Sequence, residues 1–178
     1  MGKGWVFDRG KDGNITTQFE FTRENGLLGE HPLLRGRDPS EEVKHVRSFT
    51  GQSLSVPEGA TVLLKLSATA REAASPSDLN AAAQAAMADP NQPLDESTKA
   101  HSSAVAGRAQ GIAMPFGKGR LVVAGEAAMF SAQVVRFGSG DQQREIKVGM
   151  NFPGTDDRQF ALNVMHWLSR HALVTPRD

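Results

Sequence analysis

Histidine and carboxylate side chains give this chain its main route to metal or acid–base chemistry. The five histidines are His31, His45, His101, His166 and His171. Glu41 and Glu42 precede His45 closely enough that one helical turn would place an imidazole and a carboxylate on the same side. Such pairs bind Zn²⁺ or Mn²⁺ when a further histidine joins them. The spacing predicts Glu42 and His45 as metal ligands, and a solvated Glu–His pair is the alternative.

The other histidines differ in what their surroundings favour. His31 precedes a proline, which restricts the backbone before it to an extended conformation. His101 lies in a polar loop, where we expect it to be exposed and able to become a ligand at a dimer interface. His166 and His171 lie roughly 140° apart around a helix, so they cannot share one ion within it. We predict His31 and His101 as further metal ligands, and His171 as a stabiliser of the helix dipole.

The residue inventory excludes most hydrolytic mechanisms. The chain has no cysteine and no tyrosine. Thiolate nucleophiles, cysteine-based metal sites and tyrosyl acids are therefore ruled out. The Gly-x-Ser-x-Gly motif of serine hydrolases is also absent. Water activated by a bound metal ion is the hydrolytic mechanism that remains.

Basic residues indicate the class of substrate. Positive potential for a phosphate oxyanion can come from Arg35, Arg37, Lys118 and Arg120. Residues 117–120 themselves indicate a hairpin turn, since GxxxxGK[ST] is absent and a strand follows them. We therefore predict a metal-dependent hydrolase of phosphate esters, with diesters favoured at an open, shallow site. Arg37 is the candidate catalytic cation.

Composition indicates a single soluble domain. The chain has 178 residues, of which 39% are hydrophobic, and 20 basic residues balance 20 acidic ones. No overall field therefore attracts nucleic acid or an anionic membrane. No apolar run reaches the roughly 20 residues of a membrane helix, and the N-terminal segment is too polar for a signal peptide. We expect a soluble, cytoplasmic protein.

Hydrophobic periodicity predicts the elements that must position these side chains. Strands are predicted over residues 15–21, 61–66, 104–114 and 120–125. An alanine-rich helix over 79–88 is expected at the surface, because its apolar face buries little area. Residues 39–46 form either one helical turn or an extended segment. Residues 137–149 are predicted to form a polar, glycine-bearing connection.

The last segment predicts an amphipathic helix capped by Thr155 or Asp156. Asp157 belongs to the same cap and not to a carboxylate dyad. The core-facing residues are predicted to be Phe160, Ala161, Val164, Met165, Trp167, Leu168 and Ala172. Glu126 follows a predicted buried strand and opens a short helix, so its charge either stabilises that helix N-terminus or serves a site.

Three segments together indicate a family. GEHPLLRGR with FTGQSL, GKGRLVVAGEAAMF, and GMN with DRQFALNVMHWLS resemble class I glutamine amidotransferase-like domains. More narrowly, they resemble a bacterial branch of uncharacterised domains without amidotransferase chemistry. The resemblance covers most of residues 19–66 and 116–171, whereas residues 70–105 match poorly and are interpreted as a variable insertion. It implies one α/β domain over 1–178: a truncated flavodoxin-like open sheet flanked by helices.

The resemblance also bears on the site. It implies that the first strands and the cysteine nucleophile of the family precede Met1, and a chain without cysteine is not expected to be an amidotransferase. It places His31 and Glu126 near one sheet edge, where open α/β sheets bind ligands. A truncated sheet exposes an edge and an apolar face, so we expect a homodimer.

Two function classes follow. The first is a hydrolase of phosphodiesters that holds Zn²⁺ or Mn²⁺ with His31, His45, His101 and Glu42, and acts through Glu126 and Arg37. The second is a non-catalytic module, derived from an amidotransferase-like domain, that binds a ligand or a protein.

Overall fold

A computed structural model of the chain describes residues 4–138 and 143–169, in which short helices alternate with antiparallel strands. The strands are β1 (Trp5–Arg9), β2 (Ile15–Thr16), β3 (Glu20–Thr22), β4 (His45–Arg47), β5 (Thr61–Lys65), β6 (Arg71–Ala73), β7 (Ser103–Ala104), β8 (Ala109–Phe116), β9 (Gly119–Ala124), β10 (Ala132–Phe137) and β11 (Arg144–Gly149). The helices are α1 (Pro32–Arg35), α2 (Pro76–Ala88), α3 (Leu94–Thr98) and α4 (Asp157–Leu168), with 3-10 helices at Pro39–Glu41 and Ala128–Phe130.

The described strands form four small sheets. Their orders are β2-β1-β6-β7, β3-β4, β5-β8-β9 and β10-β11, and every pairing among them is antiparallel. The expected mixture of helices and strands is therefore confirmed. The truncated flavodoxin-like open sheet is not confirmed, because the described strands form several small antiparallel sheets.

The largest hydrophobic cluster joins the β3–β4 sheet, strand β5 and helix α4. Phe21, Val46 and Leu63 are fully buried there, and Phe160 and Trp167 of α4 pack with them. A smaller cluster gathers Phe7 and Leu94 with alanines of α2. The alanine-rich helix thus packs against β1 and β6, closer to the core than its composition predicts, because alanine allows close approach to a sheet.

Several strand predictions are confirmed and others need correction. Strands β5 and β9 lie where the sequence predicts them, as does the turn between β8 and β9. The strand predicted over residues 15–21 is two strands with different partners, since β2 pairs with β1 and β3 with β4. The strand predicted over 104–114 is interrupted by a turn in which the Arg108 N–H donates to the Val105 carbonyl. Residues 39–46 contain both alternatives, a 3-10 turn followed by β4.

The polar, glycine-bearing connection predicted over residues 137–149 needs correction, because residues 144–149 form strand β11, while residues 139–142 lie outside the described residues. Residues 132–137 and 144–149 pair with each other along their whole length, from Ala132 opposite Gly149 to Phe137 opposite Arg144. We call this pair of strands the β10–β11 ribbon. In the part of the chain that the structure describes, no third strand pairs with this ribbon.

Helix α4 buries a different set of residues from the one predicted. Phe160, Val164 and Trp167 are buried as expected, whereas Met165 and Leu168 are exposed. Asn163 takes their place because its Nδ2 donates to the carbonyls of Leu33 and Glu41, at 2.9 and 2.8 Å. Ala172 and His171 lie outside the described residues.

Replacement of Trp167 tests the packing of α4. Its ring lies against the His31 ring, with centroids 5.1 Å apart, and beneath the Arg120 guanidinium at 5.0 Å. We expect Trp167→Ala to lower the free energy of unfolding by about 3–5 kcal/mol in urea denaturation, since a large aromatic side chain leaves a cavity. Leu168→Ala on the same helix, at a 39% exposed position, is the control and should cost about 1 kcal/mol or less. Equal losses for the two variants would contradict the packing described.

Candidate functional site

Carboxylates bind the edge of β4 that faces away from β3. The backbone N–H groups of Lys44 and His45 both donate to Asp156 Oδ2, at 2.8 and 2.9 Å. The Arg47 N–H donates to Asp157 Oδ1 at 2.8 Å. Backbone N–H groups that would pair with a further strand in a larger sheet are thus bound by side chains at the start of α4. The predicted cap at Asp156 needs correction: the residue holds the cap position, but its carboxylate bonds β4 instead of the helix.

Glu126 extends this row of carboxylates. The Phe49 N–H donates to its carboxylate, as do the N–H groups of Ala128 and, at 3.0 Å, Met129. Glu126 therefore joins the chain beyond β4 to the start of the 3-10 helix Ala128–Phe130. The sequence left two roles open for Glu126, stabilisation of a helix start or service in a site. The hydrogen bonds from Ala128 and Met129 match the first role. A cavity of about 360 Å³ lies beside it.

Burial raises the pKa of both carboxyl groups above their ordinary values. Burial raises the pKa of Asp157 to about 6, against the opposing effect of the hydrogen bond from Arg47. Burial also raises the pKa of Glu126, offset in part by its backbone hydrogen bonds. Raised pKa values mark functional sites in many proteins. Here the Asp157 side chain is fully buried, so the shift bears on stability and not on a substrate.

Arg37, the predicted catalytic cation, is engaged with Glu41. Its Nε donates to the Glu41 carboxylate at 2.9 Å, and its backbone N–H does so at the same distance. This pairing lowers the pKa of Glu41 to about 2. The pair closes the loop between α1 and β4.

His31 caps helix α1. Its Nδ1 accepts a hydrogen bond from the Leu33 N–H at 3.2 Å, and its ring packs on Trp167. Burial, with the nearby Arg120 charge, lowers its pKa. Because Nδ1 is an acceptor for the backbone, only Nε2 is left to bind a metal ion.

The structure assigns the four predicted metal ligands to different elements. His31 begins α1, Glu42 follows the first 3-10 helix beside Lys44, His45 lies on β4 with Nε2 4.0 Å from Glu20, and His101 follows α3. Within residues 4–138 and 143–169, no group of three His, Asp or Glu side chains could hold a metal ion. Metal-dependent hydrolysis stays a prediction.

A second cavity, of about 460 Å³, opens between β1, β2 and β3. Its charged residues are of both signs, namely Asp8, Arg9, Lys11, Asp12, Glu20 and Arg47. Arg9 and Arg47 also bond to groups of the protein, the Gly13 carbonyl and the Gln18 amide oxygen. The cavity therefore favours neither an anion nor a cation.

The β10–β11 ribbon has one apolar and one polar face. Since paired residues in an antiparallel ladder share a face, Val135, Phe137, Ile146 and Val148 lie on one side. We call these four residues the apolar face. Val135, Phe137 and Ile146 are 45, 43 and 49% exposed. The polar face carries the Arg136–Glu145 ion pair, with Nε and Oε2 3.1 Å apart.

Backbone contacts at Gly149 fix the ribbon to the body of the protein. A Cβ at Gly149 would lie 2.0 Å from the Ala128 carbonyl oxygen and 2.2 Å from that of Ser131, and its φ is 63°. The adjacent Met150 N–H donates to the Ser131 carbonyl at 2.7 Å. Because Glu126 caps the 3-10 helix that supplies these carbonyls, it also positions the ribbon.

The ribbon is an exposed feature that the sequence prediction missed. Its signal was present as alternation, with Val135 and Phe137 on one strand and Ile146 and Val148 on the other separated by polar residues. The glycines and charges between the strands resembled those of a loop. The carboxylate contacts of Asp156 and Asp157 had no such signal, since the partner amides are more than 100 residues away.

No protein-family model, curated protein or solved structure matches this chain. In the part of the chain that the structure describes, no helix has the length and apolar character needed to cross a membrane.

Asp157 should make stability depend on pH. An unfolded Asp157 ionises near its ordinary pKa of 3.8 and the folded one at about 6, so between these values the folded state holds more protons. Its contribution to stability is therefore present below about pH 4 and lost as the pH rises to about 6. We expect Asp157→Asn, whose amide oxygen can still accept from Arg47, to gain about 2–3 kcal/mol relative to the wild type between pH 4 and pH 7. Parallel stability–pH curves for the two proteins in urea denaturation would contradict this.

A substitution at Gly149 tests the attachment of the ribbon. We expect Gly149→Ala to lower the free energy of unfolding by about 2 kcal/mol or more, because the methyl group meets two carbonyl oxygens. Gly154→Ala is the matched control: its φ is 81°, but a Cβ there meets no atom within 4 Å, so it should show only the backbone strain of about 1 kcal/mol. Thermal and urea denaturation measure both. Equal losses would show that the contacts at Gly149 do not matter.

Proposed function

We propose that this chain is a non-catalytic protein-interaction module, derived from an amidotransferase-like domain, that binds its partner through the apolar face of the β10–β11 ribbon. The observation that carries the proposal is the exposure of three large apolar side chains, Val135, Phe137 and Ile146, on one side of a two-stranded sheet. Grouped apolar exposure of this kind marks interaction surfaces.

The energetics of the ribbon support a bound partner. A two-stranded sheet alone is at best marginally stable in water, and no described side chain of the ribbon belongs to a core cluster. Covering the apolar face would recover about 1 kcal/mol for each half-exposed side chain. The ribbon therefore gains much of its stabilisation from what it binds.

The remaining residues of the predicted site suit a supporting role. The amidotransferase reaction of related domains needs a cysteine, and this chain has none. Glu126 has its carboxylate bonded by backbone amides, and Arg37 is paired with Glu41. On this proposal both hold loops in place, and the scaffold is kept to present the ribbon.

The composition of the face indicates the kind of partner. Arg144 lies at one end of the apolar side and Gln133 at the other, and within the paired residues 132–137 and 144–149 no acidic side chain lies on that side. A complementary surface is apolar, with a carboxylate at the end that meets Arg144.

Site-specific photo-crosslinking in cells tests the proposal. Val135 and its neighbour Val134 are similarly exposed, at 45 and 41%, but point to opposite faces. A photoreactive amino acid at position 135 should give one discrete crosslinked protein, and the same group at 134 should not. With that partner purified, calorimetry should show Val135→Asp weakening the affinity about tenfold or more and Val134→Asp leaving it nearly unchanged.

Three results would contradict the proposal. Equal crosslinking from both positions would mean that contact with the face is unspecific. A product made of two copies of this chain, formed from position 135, would show that the face is a dimer interface. Stoichiometric Zn²⁺ or Mn²⁺ in the purified protein, with phosphodiester hydrolysis that His45→Ala abolishes, would favour the hydrolase instead.

A further inference from the structure

The outer edge of β11 is a second unpartnered feature of the ribbon. Strand β11 pairs with β10 on one side, and no described strand pairs with its other side. Free edges of this kind accept further strands, and sheets of three or more strands are far more stable than a pair. This edge is distinct from the apolar face, so an occupant here is independent of the partner proposed above.

The side chains of β11 are complementary to those of a second β11 that runs antiparallel to it. In an antiparallel pairing centred on Ile146, Glu145 of one copy lies opposite Lys147 of the other, and Lys147 opposite Glu145. Ile146 then meets Ile146 on the apolar side. Directly opposed charges of unlike sign stabilise antiparallel strands.

We propose that the occupant of this edge is a second copy of the chain, joined through β11 to form a four-stranded sheet in the order β10-β11-β11-β10. A two-fold axis perpendicular to the sheet relates the copies, as expected for an isologous dimer. The two apolar faces lie on the same side, with the two Ile146 side chains adjacent at the centre, and together they hold eight apolar side chains, four from each copy. The dimer thus offers its partner twice the area of one chain.

The charged residues of the two strands favour pairing between copies through the β11 edge over pairing through the β10 edge. On the polar face, Arg136 already pairs with Glu145, so adding Lys147 of the second copy gives a row of alternating sign. Strand β10 carries only one charge, Arg136, and no acid, so two β10 edges gain no ion pair. A net charge of zero removes general repulsion between copies.

Charge reversal measured by analytical ultracentrifugation tests the dimer. The wild-type chain should sediment at twice its 19.1 kDa mass as concentration rises. Lys147→Glu and Glu145→Lys each place like charges opposite one another and should each raise the dimer dissociation constant about tenfold or more. An equimolar mixture of the two variants restores unlike pairs, so it should form a mixed dimer about as tight as the wild type.

Lys65→Glu, the same charge change at an exposed position on β5, is the matched control and should leave the dimer unchanged. If Glu145→Lys fails to fold through loss of its Arg136 partner, Lys147→Glu against Lys65→Glu decides the question. A single-chain mass at every soluble concentration would overturn the proposal. So would a dimer that neither reversal weakens, or a mixture that stays dissociated.

The dimer and the partner-binding proposal can fail separately. Val135→Asp lies on β10, away from the paired edge, and should abolish partner crosslinking while the mass stays that of a dimer. Lys147→Glu should release the dimer and leave each chain able to crosslink its partner from position 135.

Discussion

Backbone amides along one edge of β4 are bound by side-chain carboxylates, and much of the remaining structure depends on this. Asp156 and Asp157 hold the start of α4 against the edge, and Glu126 holds the 3-10 helix that follows β9. The helix start and the 3-10 turn then supply the core residues Phe160 and Met129. The same 3-10 turn carries the root of the β10–β11 ribbon. Strand β4 thus holds the start of the core helix, and Phe49 just beyond β4 holds the 3-10 turn at the root of the ribbon.

Using carboxylates in place of a strand has a thermodynamic cost. A buried carboxylate loses hydration, and at Asp157 and Glu126 this raises the pKa of each group. An uncapped strand edge buried under α4 would leave amide donors without partners, which also costs free energy. Asp157 is a structural group, although its raised pKa resembles that of a catalytic acid. Burial distinguishes the two cases, since Asp157 has no exposed surface from which to meet a substrate.

The sequence predicts those features whose causes are local. The apolar spacing of Phe160, Val164 and Trp167 and the branched residues of β5 and β9 encode their own elements. Features set by distant contacts are not encoded in this way. The sequence suggests that Asn163 is an exposed polar residue on a helix. It is buried instead, because its side-chain amide donates to the carbonyls of Leu33 in α1 and Glu41 in the 3-10 helix Pro39–Glu41. Histidine is a suitable metal ligand, but the fold places the predicted histidine ligands on separate elements. Their spacing along the chain does not reveal this separation.

The ribbon is attached to the body of the protein through backbone groups at Gly149 and Met150. The residues that hold the ribbon in place are therefore different from the residues that it exposes. The described ribbon side chains belong to no core cluster, so replacing them removes no packing from the body of the protein. Substitutions at such positions usually change stability little. The ribbon side chains can therefore change with little effect on the body of the protein, while the carboxylates, the 3-10 helix and Gly149 keep the ribbon's orientation. A chain built this way can alter the chemistry of an exposed surface by a few substitutions without passing through an unstable intermediate.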